Sequence, residues 1–314
     1  VAALATAGVP TLDWKAAALR PRWAPFTVAA ARELHFGFSP CPNDTFAFWG
    51  AVHGKVPTPG FRLLPRLEDI ESLNRRVVEG LSPLPVTKLS IPALAHACSG
   101  YAVLSAGAAL GFGCGPLVVR RADDLTIGTL AALRGRRIAI PGFHTTAFLL
   151  LGLFGPRQAH WLPMRFDEVM PAVARGDADA GLIIHEGRFT CGDHGLAVVA
   201  DLGELWERDT GSPVPLGVIA ARRDLDRTTF GALGAALRAS VELARAEPGL
   251  PRAYVRRHAS ELDDAVCDRH IALYVNDFTQ DLGARGRAAV DQLLARGRAA
   301  GLLVPGRSPW PEGA

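Results

Sequence analysis

The chain has 314 residues, enough for two domains of ordinary size or one large one, with 49% apolar and 21% charged residues and no low-complexity tract. A net charge of +3, from Lys and Arg that are scattered rather than massed, argues against nucleic acid or an anionic membrane as the main partner. Five widely spaced cysteines (Cys41, Cys98, Cys114, Cys191 and Cys267) form no C-x-x-C pair, which argues against a disulfide framework or a thiolate zinc site and fits a reducing cytoplasm.

Residues 1–33 read as an extension of no assigned role. Asp13, Lys15, Arg20 and Arg22 interrupt its apolar stretches and make it a poor signal peptide. From residue 34, short apolar runs alternate with helical patterns, which predicts an α/β fold with mostly parallel strands. "LHFGF" is a strand, "SPCPND" a loop, and a helix follows from Thr45 with Asp44 at its N-cap position. In "LEDIESLNRRVVEG", Leu67, Ile70, Leu73, Val77 and Val78 keep a helical period. "PVTKLS" is a short strand, and Pro92 opens the helix after it.

The stretch Ile91 to Val119 carries no formally charged residue over a length that could span a bilayer. Its frequent Gly and Pro instead predict helix, strand, turn and strand in a packed core, without a membrane span. "GPLVVRRADDL" and "PLGVIAARRDL" resemble each other, each an apolar strand running into paired arginines and an acid. Between them lies a self-contained unit: helix "LAALRG", strand "RRIAIPG", helices "TTAFLLLGLF" and "FDEVMPAVARG", and strand "AGLII". The expected plan is two lobes around a cleft, with residues 34–120 and 222–314 forming a discontinuous first lobe and 121–221 the second. Three helical patterns near the C-terminus, "GALGAALRASVELARAEP", "LDDAVCDRHIALYVNDF" and "GRAAVDQLLARGRAAGLL", would pack back on the first lobe.

Ligands of open α/β sheets bind at the carboxyl ends of strands, and four predicted strand ends here carry small polar or titratable groups. Thr145 and Thr146 follow a Pro-Gly turn and open a helix; they cap it, form an anion site on its free N–H groups, or do both. Lys88 and Ser90 offer one cation and one hydroxyl, and Lys88 sits among Val86, Leu89 and Ile91 rather than in a polar run. With no phosphate-loop spacing nearby, a carboxylate suits them better than a nucleotide. Cys41 lies between two prolines and reads as a structural thiol, while Asn43 and Asp44 satisfy loop and helix-start N–H groups. His144 closes another strand end. His185 ends "AGLII" and has the pKa range of a general base, but its position alone favours a hydrogen-bonded core or rim role. Glu186 and Arg188 are read as a rim pair. "HEGRF" is not H-E-x-x-H, so no metal site is expected.

Taken together, "GFSPCPNDTFAF", "VTKLS", "GAALGFGCGPLVV", "IPGFHTTAFLLL", "MPAVARGDADAGLIIHEGRFT" and "DLGELWERDTGSPVPLG" resemble the 1,4-dihydroxy-6-naphthoate synthase family of the futalosine route to menaquinone. The likeness runs in the expected order from residue 34 to about residue 305. It implies a periplasmic-binding-protein-like fold of type II, each lobe a mixed, mostly parallel sheet flanked by helices, with the ligand cleft between lobes. It implies a cytoplasmic, cofactor-free and metal-free carbon–carbon lyase that converts cyclic dehypoxanthine futalosine to 1,4-dihydroxy-6-naphthoate and releases dihydroxyacetone. His185 would be the proton acceptor, and Lys88, Leu89, Ser90, Thr145 and Thr146 would line the site of a small carboxylate substrate. Asn43, Cys41 and His144 are further cleft candidates. Two alternatives share the fold. A solute-binding protein for a small carboxylate would predict a secretion signal or lipidated cysteine, and neither is visible. The related chorismate dehydratase is disfavoured by "HEGRFT" and "SPCPNDTF".

Overall fold

A computed structural model describes residues 31–259 and 263–312; residues 1–30, most of the expected extension, lie outside the described residues. The first sheet contains β1 (Arg32–Phe38), β2 (Phe61–Leu67), β3 (Val86–Ser90), β4 (Tyr101–Val103), β5 (Ala109–Gly111) and β11 (Val214–Arg222). Its order is β2-β1-β3-β11-β4, with β5 paired to β11. The second sheet contains β6 (Leu117–Arg121), β7 (Arg137–Ile140), β8 (His160–Pro163), β9 (Ala180–Ile183) and β10 (Leu196–Asp201), in the order β10-β6-β9-β7-β8. Both sheets are mixed. Parallel pairing is confined to β2-β1-β3 and β9-β7-β8, and the expected predominance of parallel strands does not extend beyond these cores. β6 and β11, which carry the chain between lobes rather than through a strand–helix–strand crossover, run antiparallel to their neighbours, as the edge strand β10 does to β6.

The chain enters the second sheet at β6 and returns to the first at β11, so the expected boundaries at 120/121 and 221/222 fall at the other ends of those two strands. The sequence could not resolve this, since an apolar run carries no mark of the sheet it joins. β2 and β8 escape the periodicity reading because each contains a proline, Pro65 or Pro163; both are edge strands, where a missing N–H is tolerated.

α1 (Pro42–Val52) begins earlier than expected, with Cys41 in extended backbone as its N-cap and Pro42 in its first turn. Pro at the start of a helix loses no hydrogen bond and holds the preceding residue extended. Asp44 is thereby a first-turn residue and not the cap. α2 (Ile70–Val78) is capped by Asp69, whose carboxylate accepts from the N–H groups of Glu71 and Ser72; Leu67 belongs to β2 instead. α3 (Ile91–Ala97), α4 (Thr146–Phe154), α5 (Phe166–Arg175), α6 (Gly187–Thr190) and α7 (Leu202–Thr210) follow the strand ends, and Leu130–Leu133 is a 3-10 turn rather than an α-helix.

The C-terminal helices α8 (Arg227–Ala246), α9 (Arg252–His258), α10 (Asp264–Tyr274), α11 (Asp277–Gln280) and α12 (Gly283–Ala299) pack mainly on the first lobe. Ser240 of α8, fully buried, donates to the Ala47 carbonyl and accepts from the Ala51 N–H, tying α8 to α1 beneath the ring cluster Phe36, Phe38 and Phe48. Among the described residues no helix is long and apolar enough to cross a membrane; the uncharged stretch after Ile91 is α3 followed by β4, β5 and β6.

Candidate active site

A cleft with about 620 Å³ of free space, its solvent mouth included, opens where the two sheets face each other. The first lobe contributes Asn43, Lys88, Ser90, His270 and Tyr274, and the second contributes Thr145, Thr146, His185 and Arg188. Alternation along β3 turns Lys88 and Ser90 to the cleft and Leu89 away from it. Leu89 is buried in the core with Ile91 and Leu94, so its side chain is not part of the cleft wall.

Lys88 is not a free cation. Its ammonium donates to both oxygens of Asp44, at 2.5 and 2.7 Å, and both side chains are buried. The same carboxylate accepts from the Ser39 hydroxyl and N–H and from the Asn43 amide, at 2.9, 3.1 and 2.8 Å. A buried ion pair with its remaining lone pairs satisfied is the arrangement that offsets desolvation. Nothing local in "SPCPND" reveals that Asp44 meets a lysine 44 positions later.

Ser90 accepts from the amide of Asn74, which also takes the Ser90 N–H on its oxygen, at 3.1 and 3.0 Å. Thr145 caps α4, accepting from the Phe148 N–H at 3.2 Å and donating to the Gly142 carbonyl at 2.9 Å. Thr146 accepts from the Ile91 N–H at 3.0 Å and donates to the Leu216 carbonyl at 2.6 Å, so its hydroxyl bridges the lobes. The N–H groups of the first turn of α4, at Thr146 and Ala147, have no intrahelical acceptor by geometry and lie at the cleft wall.

His185 stands just beyond β9 in left-handed backbone, φ 57°, one of two such non-glycine residues among the described positions. That conformation costs about 1–2 kcal/mol for a residue with a Cβ. Its ring meets Phe166 edge-on at 4.9 Å and lies nearly parallel to His270 at 6.3 Å between centroids. Nε2 is sealed from solvent and has no hydrogen-bond partner among the described residues. Burial, with the Lys88 charge second, pushes the imidazole down to about 3, so it is neutral with a lone pair available.

Cys41, His185 and Glu186 bring one ligand-capable atom each within 4.8 Å of one another. Burial, then the Glu186 charge, pushes the Cys41 thiol well above its ordinary range, and Cys41 stands beside His185 as a neutral, protonated group. Arg188 does not pair with Glu186. It donates to Asp201 at 2.5 Å and to the Gly115 carbonyl at 2.7 Å, pinning α6 to the crossing between lobes.

His144 lies outside the cleft wall. Its Nδ1 is 2.8 Å from Glu71, its N–H donates to the same carboxylate, and its carbonyl accepts from Asn74, so it clasps the second lobe to α2 of the first. The hydrogen bond to Glu71 holds His144 above its ordinary value. A Cβ at Gly142, where φ is 135°, would strike the Glu71 side chain, which is why the clasp needs glycine there. Sequence reasoning missed Asn74, His270 and Tyr274 as contributors and gave Arg188 only a rim role. The first three lie within helical patterns whose polar residues look like an ordinary solvated face.

A family model described as menaquinone biosynthesis matches residues 34–299. A protein named 1,4-dihydroxy-6-naphtoate synthase from Thermus thermophilus is 49% identical over 278 residues, covering 88% of this chain and 98% of that one. Its namesake from Streptomyces coelicolor is 45% identical over 289 residues, covering 89% and 98%. A crystal structure of an Archaeoglobus fulgidus protein superposes with a TM-score of 0.80 at 35% identity, over 88% of this chain and all of that one. A Candida albicans protein described as having the generic periplasmic binding protein fold superposes with a TM-score of 0.67 at 10% identity, over 88% and 92%, a likeness of fold alone. The architecture is thus the expected periplasmic-binding-protein-like one, and the chain belongs to the menaquinone-biosynthesis family that includes these 1,4-dihydroxy-6-naphthoate synthases.

Proposed function

We propose that this chain is a cytoplasmic carbon–carbon lyase that converts cyclic dehypoxanthine futalosine to 1,4-dihydroxy-6-naphthoate, releasing dihydroxyacetone, with His185 as proton acceptor. The observation that carries the proposal is the His185 imidazole, neutral and with Nε2 unpartnered, at the wall of an interlobe cleft. The names of the relatives support the same reading.

Cleavage of a carbon–carbon bond beside a carbonyl needs a base for the departing proton and donors for the oxyanion that develops. His185 supplies the first. The Ser90 hydroxyl and the first-turn N–H groups of α4 supply donors, and the same helix terminus suits the substrate carboxylate. The two basic side chains at the wall, Lys88 and Arg188, are already paired with Asp44 and Asp201, so their charge fixes the walls more than it captures an anion. An anionic substrate beside His185 would raise its pKa from the depressed value of the open site, making it a stronger base when the substrate is present. Formation of an aromatic product supplies driving force.

The test is turnover of the cyclic futalosine derivative by the purified chain and by His185→Ala, followed by the absorbance of the aromatic product. A loss of about 10² or more with substrate still bound is the expected result. Full activity in the variant assigns the proton to another group. Tight binding without turnover by either protein would return the chain to the solute-binding class.

A further inference from the structure

His270 sits on α10 in the first lobe, buried, at the cleft wall facing the second-lobe histidine. Its tautomer follows from a chain of contacts that begins at Lys88. The Asp44 carboxylate can only accept, so the Asn43 atom 2.8 Å from its Oδ1 is the amide nitrogen. The Asn43 oxygen therefore faces His270 Nε2 at 3.0 Å and requires a donor there. Nε2 carries the proton, and Nδ1 is left with a bare lone pair. Nδ1 is sealed from solvent and has no partner among the described residues. A buried acceptor held in place and left unmade is a cost that a ligand donor would remove. Burial first, and the neighbouring His185 and Lys88 second, disfavour protonation as the alternative way to satisfy it.

We infer that His270 is a second ligand-contacting residue of the cleft, accepting through Nδ1 a hydrogen bond from a hydroxyl of the bound ring system, with Lys88, Asp44 and Asn43 fixing its orientation. The inference rests on the proposed activity, which supplies a ligand with both a carboxylate and ring hydroxyls. It divides the work of the two imidazoles. His185 takes the proton, and His270 sets which way round the ring lies, so the ligand's hydroxyl end points to the first lobe.

The experiment uses the full chain labelled with 15N-histidine, titrated without oxygen with 1,4-dihydroxy-6-naphthoate. The unprotonated Nδ1 resonance of His270 is expected to move upfield as the product saturates the site, while its Nε2 signal keeps the shift of a protonated nitrogen. His270→Gln keeps a donor for the Asn43 oxygen but lacks the Nδ1 lone pair, and it is expected to bind product about ten- to a hundredfold more weakly. An unmoved Nδ1 resonance at saturation overturns the assignment, as does a His270→Gln chain that binds product like the parent. Should the variant fail to fold, the parent resonance decides alone. If the parent neither binds the product nor turns over the cyclic precursor, the proposed activity fails and this inference falls with it. Turnover by the parent with an unmoved resonance removes His270 only.

Discussion

The two walls of the cleft are polar in different ways. On the first lobe, Lys88, Asp44, Ser39, Asn43 and His270 form one connected set in which nearly every donor and acceptor is used. On the second lobe, His185 stands in left-handed backbone with a ring nitrogen sealed and unpartnered. The first wall is held by hydrogen bonds among its members, with His270 Nδ1 left open; the second holds its reactive group by the backbone and by Phe166, with Nε2 left open. A site that must both orient a ligand and move a proton needs one wall of each kind.

Breaking the first wall gives the largest effect. Lys88→Met leaves Asp44 buried without its cation and is expected to remove about 3–5 kcal/mol of stability, read from chemical denaturation. Asp44→Asn in the same chain should restore part of that loss. A Lys88→Met chain as stable as the parent would mean that the ion pair is solvated, and the contrast between walls would disappear.

The second wall is tested by pH. Because burial holds the free-enzyme His185 near 3, kcat/KM should stay level through pH 6.5, where an ordinary histidine base loses activity, and decline only well below it. An acid limb near 6.5 would show a solvated imidazole and remove the distinction. The acid limb of kcat is expected at higher pH than that of kcat/KM, since bound anion raises the base. His185→Gly sharpens the comparison from the side of stability: releasing the left-handed backbone should raise stability by about 1 kcal/mol while turnover collapses. A destabilised glycine variant would mean that the ring's packing outweighs the strain.

The smallest effect concerns the clasp outside both walls. The folded-state pKa of His144 is raised by Glu71, so the charged clasp contributes fully below the unfolded value and is lost as pH rises through the raised one. Glu71→Gln, which keeps a hydrogen bond but removes the charge, should therefore lower stability at pH 6 by less than about 1 kcal/mol and leave it unchanged at pH 9, read from thermal melts at the two pH values. A difference that persists at high pH would mark the contact as uncharged packing.

Much of this was legible in the chain. The strand ends at "SPCPND", "KLS", "HTT" and "HEGRF" do converge on one cleft, because the parallel strands of each sheet present their carboxyl ends on one side and the two sides meet at the cleft. Lys88, Ser90, Thr145, Thr146 and His185 stand at its wall, as does Asn43. Leu89 and His144 do not: the strand's alternation turns one into the core, and Glu71 draws the other aside. Strand and helix identity followed from periodicity at β1, β3, β7, β9 and α2; the reading missed β2 and β8, where an edge position lets proline into a strand, and also β10 and α7, and it took the 3-10 turn Leu130–Leu133 for a helix.

What the sequence determined by itself was the alternation of elements, the polar residues at strand ends and the motif set that marks the family, all of them local properties set by hydrophobic period and residue chemistry. Tertiary structure alone decided which charges cancel. Lys88 finds Asp44, Arg188 finds Asp201 and His144 finds Glu71, each across a separation that no spacing rule covers. It also decided that His185 and His270 are neutral, since a pKa depends on how much water and which charges the fold leaves beside a ring, and those are settled only when the two lobes meet.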